Sequence, residues 1–151
     1  MKAPDLNKLN FKFKHKPLLI GGLAMEYYGL RKSGKDVDFV LSRSDHKRLR
    51  DLMDKLNMKY LKGRNTSGYK DTPQFVDLYG DQGILIYEFE LWNQILRFDY
   101  DFLVENATEK DKYFIISLEK LLFLKALGLK KKKYLDDLKL IVQKVIDEQY
   151  K

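Results

Sequence analysis

The sequence predicts an α+β domain: a mixed β-sheet covered by helices mainly on one face and finished by a C-terminal helical pair. Three observations predict it. The apolar run Leu18-Leu19-Ile20 is stopped by Gly21-Gly22, as a buried strand entering a tight turn would be. The stretch from Gln74 to Val104 holds three runs rich in β-branched and aromatic residues. The last third changes to apolar residues at three- and four-residue spacing. Strand, helix, strand, helix, several strands and two helices is the order of an α+β layer architecture.

Taken in order, residues 1–16 are Lys-rich, with Phe11 and Phe13 alternating with Lys12, Lys14 and Lys16, the pattern of a short arm or edge strand. After the diglycine, Leu23 to Leu30 has helical composition and a stop at Gly29. Asp36-Val37-Asp38-Phe39-Val40-Leu41 alternates acid and apolar residues before turning wholly apolar, as in a strand with one wet face at its start. Ser44 is placed to cap a helix through about Asn57, with Asp45 in its first turn and Leu49, Leu52, Met53 and Leu56 facing inward. Tyr60 to Tyr69 reads as a loop, since Gly63, Asn65, Thr66, Ser67 and Gly68 cluster there.

Strands are expected at Gln74 to Tyr79, Ile84 to Trp92 and Ile95 to Val104, the first two joined through Gly80-Asp81-Gln82-Gly83. Ser117 caps the next helix, along which Leu118, Leu121, Leu122, Lys125 and Leu129 keep helical spacing. Lys130 to Lys133 form a basic turn. A last helix from Tyr134 to about Tyr150 carries Leu135, Leu138, Ile141, Val142, Val145 and Ile146 as its apolar stripe. With 151 residues, 44% hydrophobic composition and no Gly/Ser linker, one domain over 1–151 is expected, its core over about 17–104 and its helices over about 117–150.

Composition narrows the function. A formal charge of +7 favours polyanionic partners over cationic ones. The absence of cysteine excludes disulfides, thiolate zinc sites and thiol catalysis, and His15 and His46 lack partners at metal-ligand spacing. With neither a signal-like leader nor a membrane-length apolar run, a cytoplasmic location is expected.

Asp36 and Asp38 are two apart on a predicted strand, so both project from one face. Two carboxylates that close repel by about 4 kcal/mol at an effective dielectric near 20, and a divalent cation with hard oxygen ligands, Mg²⁺ or Mn²⁺, would offset this. Two surface aspartates on a solvated strand are the plain alternative. Gly21-Gly22 at a strand-to-helix turn lets backbone approach a phosphate, although a simple tight turn uses the same residues. Asp77, an acid between Val76 and Leu78 in an apolar strand, is the preferred third carboxylate; Glu88, Glu90, Asp99, Asp101 and Asp81 compete with it.

Gly21-Gly22, a thirteen-residue spacer and Asp36-Val37-Asp38 resemble the signature of the DNA polymerase β-like nucleotidyltransferase superfamily. The string from Ile20 to Phe39 looks like its small bacterial branch, which includes minimal nucleotidyltransferases and AbiEii-type toxins. Ser117 to Lys125 with Tyr134 to Leu138 is similar to the helical tail of such domains. The resemblance implies metal-dependent transfer of a nucleoside monophosphate from an NTP to an acceptor, with Asp36, Asp38 and Asp77 as Mg²⁺ (or Mn²⁺) ligands and Gly21-Gly22 as the phosphate-side turn. It makes Arg31, Ser33, Lys35 and Lys125 candidate nucleotide contacts, against solvated loop charges or a snorkelling lysine as the plain readings. Many relatives carry Thr where this chain has Gly34, which removes one side-chain donor. The charge favours RNA or protein over a small cationic acceptor, with Lys130 to Lys133 as one basic contact, against a solvated turn between two helices as the equally weighted plain reading. A non-catalytic binding module and a toxin with a neutralising partner protein are the other expectations.

Overall fold

The structure, a computed structural model, describes residues 4, 6, 11–34, 37–55, 61–69, 72–79, 84–89, 99–127 and 132–150; at 50, 53–55, 61–69, 72–79 and 84–89 it describes backbone only. All three residues of β1 (Leu18–Ile20) are buried, as a short run without polar alternation requires. The chain passes directly into α1 (Gly21–Tyr27). This helix ends as its glycine predicts: Gly29 has φ +72°, its N–H donates to Glu26 O at 2.9 Å, and Leu30 N–H reaches Met25 O at 3.0 Å.

β2 (Val37–Val40) returns antiparallel to β1, with Asp38 opposite Ile20. After α2 (Arg43–Lys55) come β3 (Leu61–Tyr69), β4 (Thr72–Tyr79) and β5 (Ile84–Phe89), an antiparallel meander whose last strand joins β2 in parallel. A single-turn α3 (Tyr100–Leu103) leads to the hairpin β6 (Thr108–Glu109) and β7 (Phe114–Ile115), and β7 lies parallel to β1. The mixed sheet has the order β3-β4-β5-β2-β1-β7-β6. α4 (Leu118–Leu127) and α5 (Lys132–Gln149) form the C-terminal helical pair.

Alternation along β1, β2 and β7 sorts the core onto two faces. Leu19, Phe39 and Ile115 face Leu49 of α2, together with Leu6, Leu23, Leu41 and Tyr113. Leu18, Ile20 and Val40 face α1, α3, α4 and α5 through Ala24, Met25, Tyr100, Leu103, Leu121 and Ile141. Among the described residues, α1, α3, α4 and α5 thus lie on one face and α2 on the other. Asp38 shares its parity with Val40, so it belongs to the face carrying the C-terminal pair.

Several local expectations are corrected. The α2 cap is Ser42, whose Oγ accepts from Asp45 N–H at 3.3 Å and whose carbonyl accepts from His46 N–H at 2.9 Å. The polar stretch read as a loop forms β3, because its backbone pairs along β4 from Leu61 to Tyr69 and this ladder overrides weak strand propensity. Tyr100 to Leu103, expected within a strand, form α3 instead, since Asp99 accepts from Phe102 N–H at 2.9 Å and caps a helical turn. Phe11 and Phe13 form no strand; they pack against the α2-side core with ring centroids 4.9 Å apart. Along α5, Ile141 is buried, but Leu135, Val142, Val145 and Ile146 are exposed. Ser117 caps α4 as expected, accepting from Lys120 N–H at 3.2 Å. Leu56, Gly80 to Gly83, Glu90 to Phe98, Leu129 and Lys130 to Lys131 lie outside the described residues. No helix among the described residues is long and apolar enough to cross a membrane.

Candidate active site

The end of β1, the start of α1 and the wet end of β2 meet at one point. Gly21 has φ +69°, a conformation that side chains disfavour, and a Cβ there would lie 2.3 Å from Asp38 Oδ2. The carboxylate of Asp38 is therefore seated against a bare α-carbon at the strand-to-helix turn. The second glycine serves the loop after α1. A Cβ on Gly22 would meet Arg31 Nη1 at 3.4 Å, the Ser33 Cα at 3.5 Å and the Gly34 nitrogen at 3.6 Å. Ser33 N–H donates to Glu26 Oε1 at 3.3 Å, which ties this loop to α1.

The C-terminal helices supply the opposite wall. Asp137 of α5 accepts from Arg31 Nε at 2.6 Å and Nη2 at 2.9 Å, a bidentate pair, and from Lys125 of α4 at 2.8 Å. Asp137 and Lys125 are buried, and the Arg31 side chain is 26% exposed. Each contact is worth on the order of 5 kcal/mol of Coulomb attraction at an effective dielectric of ~20, against which the desolvation of three charges is set. Burial alone would raise the Asp137 carboxyl, but the hydrogen bonds from Arg31 and Lys125 outweigh it and hold the group below the ordinary carboxylate value. Burial, opposed by Asp137, leaves the Lys125 ammonium below its ordinary value. The same hydrogen bond to Asp137 raises Arg31.

Tyr134, one turn before Asp137, has its ring 5.0 Å from Lys125 Nζ. Burial raises its phenol, and the nearby carboxylates of Asp38 and Asp137 add to the shift. Asp38, Tyr134, Lys125, Asp137 and Arg31 thus surround the diglycine turn from four elements.

Of the residues singled out in the sequence, Gly21, Gly22, Arg31, Ser33, Asp38 and Lys125 are brought together. Lys35 and Asp36 lie outside the described residues. Asp77 is registered against Ile86, and Ile86 against Phe39, whereas Asp38 is level with Leu85 and Leu78. Asp77 therefore stands two strands from β2, in the row of Phe39. β5 is the strand beside β2, with Glu88 opposite Phe75. Among the described residues no group of three or more Asp, Glu, His or Cys is placed to hold a metal ion.

Asp137 and Tyr134 were missed as site residues. A faint signal existed: Asp136 and Asp137 interrupt an apolar helical pattern and project about 100° apart, so one of them turns inward when the helix packs.

No family model matches the chain, and no curated protein matches it. Its architecture is similar to the crystal structure of a candidate nucleotidyltransferase from Thermotoga maritima. The two share 14% identity over 91% of this chain and 88% of the other, with a TM-score of 0.53. The chain has a nucleotidyltransferase-like fold.

Proposed function

We propose that this chain is a nucleotidyltransferase that moves a nucleoside monophosphate from an NTP to a hydroxyl-bearing acceptor, the hydroxyl attacking the α-phosphate and pyrophosphate leaving. RNA or protein suits its charge better than a small polycation such as an aminoglycoside. One observation carries the reading: the Asp38 carboxylate sits against the bare α-carbon of Gly21, at a turn also flanked by Arg31 and Lys125.

The oxygens of Asp38 suit Mg²⁺ or Mn²⁺, and the missing side chain at Gly21 is what lets the carboxylate sit at this turn. In this reading Asp36, Asp38 and a third carboxylate would hold the metal, which when bound would supply Lewis-acid charge to the transferring phosphate. The proposed third ligand and acceptor of the attacking hydroxyl's proton is Asp77, with Glu88 or Glu90 as the alternatives, although the register sets Asp77 in the row of Phe39 and not in that of Asp38. Gly22, Ser33 and Lys35 are the proposed contacts of the triphosphate. Arg31 and Lys125, oriented by Asp137, present positive charge to it. A cytoplasmic location and membership of the minimal or AbiEii-type branch, with a neutralising partner protein, belong to the same proposal.

A second reading draws on the pairing of Arg31 and Lys125 with Asp137: two of the four candidate nucleotide contacts already have a carboxylate partner. A module that binds nucleotide or a partner chain without turnover fits that arrangement. Incubation with each α-labelled NTP, Mg²⁺ or Mn²⁺ and total RNA or lysate separates the two. Label transfer by the wild type and none by Asp36→Ala/Asp38→Ala is the expected result; equal transfer by both removes these aspartates from the mechanism. Comparing Asp77→Asn with Glu88→Gln then assigns the third carboxylate to whichever variant loses transfer while keeping its fold.

A further inference from the structure

The far end of β1 from the diglycine turn carries a second feature. Three segments meet there. Lys14 and His15 donate their backbone N–H groups to the buried Asp45 of α2 at 3.1 and 2.8 Å, and Arg48 Nη2 donates to Lys12 O at 3.0 Å. Lys16 Nζ reaches Lys110 O at 2.8 Å and Glu109 Oε1 at 2.7 Å in the β6–β7 hairpin. Residues 11–16, 43–48 and 109–113 are thereby joined into one surface.

These segments hold eight Lys and Arg against three Asp and Glu, a formal +5 of the chain's +7. Two of the acids are engaged within the surface, Asp45 with Arg48 and Glu109 with Lys16. Lys12, Lys14, Lys47, Lys110 and Lys112 are exposed. At the edge lies Tyr27, 37% exposed, with Lys110 Nζ 5.5 Å from its ring centroid. Every other exposed large hydrophobic residue among those described is on α5 or just beyond it at Tyr150.

The geometry points to this end of the molecule as a binding surface for the backbone of single-stranded RNA, with Tyr27 as a stacking platform for a base. The assignment rests on the nucleotidyltransferase reading in one respect: an RNA held here supplies a hydroxyl-bearing acceptor. β1 spans only about 10 Å, so a strand of a few nucleotides bridges this surface and the diglycine turn. A row of exposed lysines beside an accessible aromatic ring is what sequence-tolerant single-strand binding uses. An anionic membrane fits less well. Lipid insertion calls for apolar side chains beside the cations, and here Phe11 and Phe13 are half-buried and packed against the core.

The test is fluorescence anisotropy of a labelled single-stranded RNA of about 12 nucleotides, without NTP or divalent metal, across roughly 50 to 200 mM KCl. The wild type should bind with a log–log salt slope of about −3. Lys12→Glu/Lys14→Glu should weaken binding at least ~10-fold at low salt and flatten the slope by more than ~1. Tyr27→Ala should lose roughly 10-fold with the slope unchanged. The charge-matched Lys139→Glu/Lys144→Glu, on α5 and away from both basic segments, should stay within about 3-fold of wild type. Equal losses from both double reversals would overturn the assignment, as would binding to phosphatidylserine vesicles with none to RNA. Circular dichroism confirms that each variant is folded. Because no turnover is read, loss of label transfer leaves this result standing, and loss of RNA binding leaves the transfer assay intact.

Discussion

A methyl group on Gly21 would fall 2.3 Å from Asp38 Oδ2 on a backbone whose φ is +69°. Gly29 has the similar φ of +72°, but a methyl group there would meet nothing within 4 Å, so the pair separates conformational cost from collision. Gly29→Ala should cost about 1 kcal/mol in denaturant unfolding. Gly21→Ala carries that cost and also displaces the Asp38 carboxylate, so transfer should fall about 100-fold, far beyond any effect of Gly29→Ala. Comparable activity in the two variants would show that the seat against Gly21 is unimportant.

Asp137 makes a prediction through charge. Removing its carboxylate leaves Arg31 and the buried Lys125 without their shared counter-ion, and Asp137→Asn should lose about 3 kcal/mol. The pH dependence has a definite sign. Its pKa in the folded protein is held below the unfolded value, so its contribution is present above about pH 4 and is lost as pH falls through the depressed folded pKa. Acid titration of unfolding free energy should be less steep below pH ~4 in Asp137→Asn than in the wild type. Identical acid limbs would mean that the triad adds nothing to acid stability.

The start of α2 shows how a secondary-structure boundary is chosen. Ser42 and Ser44 both suit a cap by residue type, and with either one Asp45 sits in the first turn, where its carboxylate would serve the helix dipole. The fold uses Asp45 differently: it is buried and receives the N–H groups of Lys14 and His15 from some thirty positions upstream. The cap moves to Ser42. Ser42→Ala should therefore cost about 1 kcal/mol of stability and Ser44→Ala only a few tenths, measured by thermal or denaturant unfolding. The reverse order would restore Ser44 as the cap. α5 makes a related point. Its apolar periodicity is real, yet the protein body covers Asp137 and Ile141 and leaves Leu135, Val142, Val145 and Ile146 exposed, because contact with α4 and the Arg31 loop sets the helix rotation.

Across the sheet, the two cores are related differently to the site. Leu49 is buried on the α2 face, and Ile141 on the face that carries Asp38 and the C-terminal pair. Leu49→Ala and Ile141→Ala should each lose about 3 kcal/mol. Only the second should also reduce transfer at temperatures where both variants remain folded, since Ile141 lies one helical turn from Asp137. Equal activity losses would show that the site feels global stability alone.

Much was legible without coordinates wherever the physics is local. An apolar triplet before two glycines marks β1 and its turn, Gly29 stops α1, Ser117 caps α4, and an Asp two residues from another marks the wet end of β2; each depends on neighbours a few residues away. Pairing across distance was not legible. Which carboxylate seats against Gly21, which acid binds Arg31 from 106 positions away and which polar stretch becomes β3 are all decided by ladders and ion pairs between remote segments. Sequence periodicity records which faces a segment has, whereas the partner that each face meets is set by the free energy of packing the complete chain.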